Sequence, residues 1–572
     1  MKGFQFIIRL LALSAVFFLS GCMANKNPGG DRVQFEVRAL WVDPPGFVNR
    51  ETVDKLIEKC SRAGINQIIA NIMLRENVYF KSEHFAGNVR ANDAYDPLAY
   101  LIEKAHAAGI KVQAWSCVYY SLAKKPEWAG KPFAFNQYDH VFLSPAHPEV
   151  NPYLLSVLKE LLKYNIDGLH LDYTRYWNAA FDYSETARNR FSVSYGFDPA
   201  DFLDHPEKIV PEKLDTYPVR VLLAKTMVDR VWELGAVERN LNHANTGYAF
   251  ISEKPENIDA LKAPGLLMIS YYTNVSEEIG LALERYVKRG GSVVWIDPAN
   301  GLFTRYPFLR AISGVSGTRN MNAGHISLQP VADKVLGSFF SPVRIKTSGN
   351  MPQPAEARVL ARTEEGIPAI TIHNTGSGSF IVMGSRLMDN DAPEVASLLQ
   401  NMILTLRKQA GITGPDPLGE KRKQWIDWRA SHVLELVRDV NKMVKQIKPD
   451  VKVTAAAGVG PQEHYGIYRN GATWLDENLV DNLFPMNYTE NAGDLADVFK
   501  TQERFIPRGK KNRIYPGLQI YSKQEGKIVP MDAKIVDEQL GLVRRSGYKG
   551  FCLFAYSYFT DEIADIVRKH SN

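Results

Sequence analysis

Asp172 closes the short apolar run IDGLHLDY (166–173), and that placement gives it chemistry to do. If the run is a strand, alternation sends Leu169 and Leu171 to one face and His170 and Asp172 to the other. An acid on the inner face of a strand is costly unless it is solvated or used. Two carboxyl groups on one rim suit hydrolysis of a glycosidic bond, one protonating the leaving oxygen while the other attacks or activates water. Glu463 in GVGPQEHYG and Glu490 in PMNYTEN rank equally as the second carboxyl, with Asp43 and Glu76 as further options. The structural alternatives are an ion pair of Asp172 with Arg175 or Arg38, and solvated loop positions for the others. Asp167, at the start of the same run, reads as structural.

Sugar rings present apolar faces and hydrogen-bonding edges, so a glycan site needs aromatic platforms and polar grips. Trp41, Trp115, Tyr119, Tyr120, Tyr173, Trp177, Tyr488, Tyr521 and Tyr556 all fall at or just beyond the carboxyl ends of apolar runs, where some serve as ordinary packing. Arg38, Asn71, Arg75, Arg175 and Asn487 are the candidate grips for hydroxyls or a sugar carboxylate, with ion pairing inside the fold as the alternative. His147 and His464 stand without partners at ligand spacing, so no catalytic metal and no cofactor are expected. Gly290-Gly291 precedes a strand rather than a helix and forms no dinucleotide-binding turn.

The elements that must position these residues alternate strand and helix. Strand one is 37–43, strand two 66–74, strand three 110–119 after a helix ending at Gly109, and strand four 166–173. The helix after strand one carries Val53, Leu56, Ile57 and Cys60 at helical spacing. Past Tyr217 the rhythm changes to a separate α/β unit reaching to about Gly411. A long amphipathic helix then starts at Trp425, and strands return at 451–458, 480–488, 513–521 and 550–558. Four strands on each side of an insert make the eight of a (β/α)8 TIM barrel. The expected division is a leader (1–21), a tether (22–32), strands one to four (33–215), a flavodoxin-like insert (216–412) and strands five to eight (413–572).

The chain's 572 residues, 45% hydrophobic and 23% charged, exceed what one core of about 250–300 residues buries. The opening MKGFQFIIRLLALSAVFFLSG is basic and then apolar, a secretory leader too short for a spanning helix of about 20 residues. It ends in Leu19-Ser20-Gly21-Cys22, which resembles a bacterial lipobox, so Cys22 is the expected lipid-bearing residue and a membrane the expected partner. Met23 after it favours the outer membrane, on its periplasmic or surface side. The net charge of +5 falls to +3 once Lys2 and Arg9 leave with the leader, too mild for nucleic acid. Cys60, Cys117 and Cys552 are scattered through apolar context and build neither a disulfide framework nor a zinc site.

VRALWVD, the passage 140–177 and WRASHVLELVRDVNKMVKQIKPDVKV (428–453) closely resemble the glycosyl-hydrolase-like ten family of bacterial barrel proteins over roughly 33–215 and 415–572. The resemblance implies a glycan substrate, and some members look like lipoproteins that cut peptidoglycan strands stripped of their peptides. The insert, above all ISYYTNVSEEIGLALERYVKRGGSVVWIDP, is similar to the amidotransferase-like domain beside some glycosidase barrels. Amidotransferases use a cysteine nucleophile, and no cysteine lies between Cys117 and Cys552. The expectation is a glycoside hydrolase acting on a polysaccharide or peptidoglycan strand; the alternatives are a glycan-binding surface lipoprotein without turnover, and a homo-oligomer assembled through the insert.

Overall fold

The computed structural model describes residues 34–571 apart from 122–123, 134–141, 211–217, 225–230, 271, 322–324, 332–341, 347–348, 387–392 and 413–415. The leader and the whole tether, Cys22 included, lie outside the described residues. Among the described residues no helix is long and apolar enough to cross a membrane.

Local chemistry sets the first βα unit. Asn49 and Thr52 cap each other at the start of the helix Arg50–Ala63, and Gly64 ends it in the left-handed conformation that a residue without Cβ adopts cheaply. The helix buries Val53, Leu56, Cys60 and Ala63 beneath it. Eight parallel strands follow: β1 (Val37–Val42), β2 (Gln67–Arg75), β3 (Lys111–Ser121), β4 (Gly168–Asp172), β5 (Lys452–Ala455), β6 (Asn482–Leu483), β7 (Gly517–Gln519) and β8 (Gly550–Phe554). Each pairs with its neighbour in chain order, and β1 also pairs with β8. Parallel bridges Leu483↔Ile514 and Met486↔Gly517 join β6 to β7, so the ring closes as a TIM barrel. β6 is far shorter than the expected 480–488 because Pro485 has no N–H for the ladder. The Pro485 carbonyl instead accepts from the Gly517 amide at 2.8 Å.

Ala39, Trp41, Ile69, Trp115, Cys117, Ala456, Phe484, Tyr515 and Cys552 fill the barrel interior, while Leu169 and Leu171 pack outward. A hydrogen-bond chain crosses that interior. The Trp41 indole donates to His170 Nε2 (3.2 Å), His170 Nδ1 donates to the Thr454 hydroxyl (2.8 Å), and that hydroxyl donates to Gln113 Oε1 (2.5 Å). Gly517 admits the large Trp41 ring, since a Cβ there would stand 2.6 Å from Trp41 Cη2 and 3.0 Å from the Pro485 carbonyl. Gly517→Ala is therefore expected to destabilise the fold by about 1–3 kcal/mol, read by urea unfolding.

Between β4 and β5 the chain builds a second sheet. Its parallel strands lie in the order Tyr248–Ser252, Val219–Leu223, Leu266–Ser270, Ser292–Ile296, Gly378–Met383. In chain order this is two-one-three-four-five, the order of doubly wound flavodoxin-like sheets. Antiparallel strands Pro368–Thr375, Arg358–Arg362, His325–Pro330 and Val343–Lys346 extend one edge. Its core reaches beyond the expected 216–412, taking in Phe133, Phe191, Phe202, Leu418 and Trp425. Residues Phe35–Asn572 accordingly form one unit.

The helix expected at Trp425 begins at Pro417 and runs to Ile447. Pro417 suits a first helical turn, and Asp416 caps it by accepting from the Gly419 amide at 3.2 Å. Leu418 and Trp425 of this helix belong to the second core, and Val433, Leu436, Val437, Val440 and Val444 to the barrel's outer core. It ties the two sheets together.

Candidate active site

Asp172 ends β4 on the inner face, 6% exposed. Its Oδ2 accepts from the Trp115 indole at 3.1 Å, and its Oδ1 from the amide of Tyr173 at 2.6 Å. Tyr173 makes that bond from a left-handed backbone (φ 47°), a conformation that costs a non-glycine residue of order 1 kcal/mol or more and gathers at functional sites. Burial pushes the Asp172 carboxyl above its ordinary range, and the Tyr173 amide, Arg469, Arg175 and Trp115 pull it back down. Asp43 follows β1, where alternation from Ala39 and Trp41 turns it toward the same mouth. Its side chain caps no helix, and burial raises its carboxyl. Both acids bear on the buried Cys117 thiol, which burial and their charges raise further.

Glu463 lies on the short helix Pro461–Ile467 after β5 and is fully engaged. Arg469 grips it with two bonds, 2.8 Å from Nε and 2.7 Å from Nη2, and the Gly458 amide reaches both of its oxygens at 3.0 and 3.1 Å. Arg469 is buried and also donates to the Ala456 carbonyl at 2.8 Å. Such a forked pair fixes the guanidinium. Glu490 is exposed and accepts from the Lys523 amide at 3.3 Å, pinning the hairpin Tyr521–Pro530. Glu76 is exposed on a loop and accepts from Asn77 at 3.2 Å.

Two aromatic groups flank Asp172. On the β3–β4 side Tyr120 stacks on Tyr173 (4.9 Å) and Trp177 (5.9 Å), with Arg175 4.8 Å over Tyr173 and Arg75 5.3 Å over Tyr120. Arg75 itself leaves β2 with a left-handed φ of 54°. On the β6–β8 side Tyr488 stacks on Phe554 (5.2 Å), Tyr521 lies 6.2 Å from Phe554, and Trp41 packs beneath both Tyr488 (6.5 Å) and Trp115 (6.4 Å). Asn71 is buried under this mouth, 3.8 Å from the Cys117 sulfur.

Four candidates sit elsewhere. Arg38 is at the opposite end of β1, donating to the carbonyls of Gly64 (2.5 Å) and Phe35 (2.6 Å). Asn487 turns to the helix Ala492–Glu503, donating to Gln502 at 2.8 Å. Tyr556 packs against Gly46 and the outer core, and Tyr119 points outward to Asn151 at 2.8 Å. His147 Nδ1 accepts from the Glu149 amide at 3.3 Å, and His464 lies 3.6 Å from Asp427. The site residues not singled out from the sequence are Phe554 and Arg469. Phe554 follows from alternation, two residues past the inward Cys552, whereas Arg469 is set by the left-handed turn at Tyr468 and leaves no periodic signal.

The arrangement seats one carboxyl between two N–H donors, within the pull of two guanidiniums, with a second acid at the same mouth. Removing the Trp115 bond in Trp115→Phe is expected to lower kcat on a cleaved glycan about tenfold, from the loss of one charge-assisted bond. The same change moves the acid limb of the pH–rate profile upward, since one group that holds the carboxylate is gone.

Comparison with known proteins gives three findings. The family described as glycosyl hydrolase-like 10 matches residues 36–200 and 399–538, more than half of the chain, and leaves out most of the second sheet. Over 180 residues the chain is 25% identical to the glycosyl hydrolase YngK of Bacillus subtilis, covering 26% of this chain and 34% of that protein. Over 164 residues it is 25% identical to the glycosyl hydrolase DigH of Escherichia coli, covering 24% of this chain and 37% of that protein. The chain thus spans little more than a third of the length of these curated relatives. Among solved structures, the PgaB (BpsB) glycoside hydrolase domain from Bordetella bronchiseptica aligns with a TM-score of 0.45 at 12% identity, covering 94% of this chain and 99% of that one.

Proposed function

The chain belongs to the glycosyl hydrolase-like 10 family, and from that premise we propose that it cleaves O-glycosidic bonds in a polysaccharide or a peptidoglycan strand, with Asp172 as the carboxylate at the reacting carbon. The observation that carries this reading is the seat of Asp172: a buried carboxyl at the inward end of β4 whose two oxygens each accept an N–H. Those donors, with Arg469 and Arg175, favour its ionised form against burial. The acid that protonates the leaving oxygen is Asp43, whose carboxyl burial raises without an opposing donor. Burial raises both carboxyls, and only Asp172 has donors and guanidiniums that pull it back, which is the asymmetry that assigns the two roles. The glycosidic C–O bond breaks, the Asp43 proton goes to the leaving oxygen, water supplies the hydroxyl to the anomeric carbon, and the proton that this water releases returns to the carboxyl pair, leaving Asp43 protonated again. Glu463 and Glu490 then serve the site without touching the sugar, Glu463 by fixing Arg469 and Glu490 by fixing the hairpin at Tyr521.

Tyr120, Tyr173 and Trp177 on one side and Phe554, Tyr488 and Tyr521 on the other receive sugar faces, and Arg75 grips a polar edge. The mature protein is proposed to act at the cell envelope, held by a lipid on Cys22. The test is a reducing-end assay on peptide-free peptidoglycan strands and a panel of polysaccharides. Release of new ends from one of these supports the hydrolase, and binding with no release on any of them replaces it with a glycan-binding lipoprotein.

A further inference from the structure

The helix Val231–His243 belongs to the second sheet's layer, with Ala236, Val237 and Leu241 in that core. Its other side meets the barrel's site helix, Pro461–Ile467. Asn242, buried, is hydrogen-bonded at both ends of its side chain: Oδ1 accepts from the Tyr248 hydroxyl of the second sheet (3.0 Å), and Nδ2 donates to the Tyr465 carbonyl of the site helix (3.2 Å). The His243 ring stacks flat on Tyr465, centroids 5.0 Å apart at 16°. Gly466 is buried against the Arg239 stem so closely that a Cβ would stand 2.8 Å from Arg239 Cδ. Helix Val231–His243 is in turn anchored from behind, where Glu238 lies 3.3 Å from the Tyr248 hydroxyl and faces the buried Arg422 at 3.7 Å.

We propose that this docking is what holds the barrel's site in register: the inserted sheet, through Asn242, His243 and the close fit of Arg239 on Gly466, positions the helix that carries Glu463, and Glu463 in turn sets Arg469 beside Asp172. A helix of seven residues has too few internal bonds to hold a side chain within the roughly 0.5 Å that catalysis needs. Its free face is therefore held by a neighbour. The first two steps of the relay are contacts, helix to helix and Glu463 to Arg469 in a forked pair, and the last is the through-space pull of the Arg469 charge on the Asp172 carboxyl. Asn242, His243 and Arg239 are positioning residues that act through others, and the insert is a working part of the site rather than an appended module.

This inference uses the glycosidase reading for one readout and needs a second that does not depend on it. The wedge variant is Gly466→Val, the milder variant Asn242→Ala, and the compensating pair Gly466→Val with Arg239→Ala, which clears the space the new side chain needs. The Trp115 indole reports Asp172 directly, so the part of the tryptophan fluorescence titration that Asp172→Asn abolishes gives the Asp172 midpoint without any substrate. The expected result is a midpoint about half a pH unit or more higher in Gly466→Val and Asn242→Ala, because a displaced Arg469 favours the carboxylate less. On a cleaved glycan kcat falls about tenfold with KM changed less than twofold, and adding Arg239→Ala to Gly466→Val restores both quantities at least halfway. An unchanged midpoint in two folded variants overturns the proposal. If wild type cleaves no glycan tested, the hydrolase reading fails on its own, and the fluorescence titration still decides this one.

Discussion

Asp172→Asn is expected to abolish glycan cleavage, lowering the rate by on the order of 10³-fold or more while the protein still folds and binds the glycan. The substitution keeps shape and removes charge. Because one oxygen accepts from Tyr173 and the other from Trp115, an amide satisfies one donor and turns its own NH2 toward the other. The two guanidiniums that lean on the carboxylate lose their counter-charge at the same time. Binding rests on the aromatic groups and Arg75, which the change does not touch, so KM moves little and kcat carries the loss. The measurement is reducing-end release beside a binding assay on the same glycan. Cleavage at the wild-type rate would remove Asp172 from the chemistry.

The second large effect concerns stability against pH and comes from His170. Its ring is fully buried, Nε2 occupied as acceptor by Trp41 and Nδ1 as donor to Thr454, so the neutral form is built into the barrel. Burial pushes it down to about 3. An unfolded histidine takes up its proton near 6.5, so the stability this group confers is complete above that pH and is lost as the pH falls from about 6.5 toward about 3. The slope is about 1.4 kcal/mol for each pH unit. Carboxylates add their own slope in the same range, so the comparison is with His170→Gln, whose amide can accept from Trp41 and donate to Thr454 without titrating. Urea unfolding from pH 7 to pH 4.5 should show the wild type taking up about one proton more per unfolding event than the variant. Parallel slopes would show that His170 is protonated in the fold.

Much of this geometry is written in local periodicity. Asp172 is legible because one strand's alternation, Leu169 and Leu171 out, His170 and Asp172 in, fixes its direction without knowledge of any partner. The same rule decides Arg38: Val37, Ala39 and Trp41 share the inner face of β1, so Arg38 between them faces out and finds the helix end at Gly64. Asn487 misleads because it stands beyond Pro485, where the ladder stops and strand alternation no longer sets a side chain's direction. Phe554 is within reach of the pattern and Tyr556 is not, since the strand ends at Phe554 and the next residues turn into a short helix. Arg469 and the docking of Val231–His243 are invisible to any window on the sequence. Arg469 follows a local turn, whereas the docking depends on residues more than 200 positions apart meeting across two sheets, as Asn242 and Tyr465 do.

The pairing of β4 with β5 brings together residues 284 positions apart, as His170 and Thr454 are. In N-to-C synthesis the partner of that edge of β4 emerges only after the whole intervening sheet. A parallel edge left open that long is a template for pairing with another chain. An insert that folds first is then a kinetic safeguard as well: by burying Phe191, Phe202 and Trp425 in its own core it draws the start of the long helix back toward the waiting half. The search that closes the barrel thereby shrinks from a loop of nearly 300 residues to the few between two docked elements.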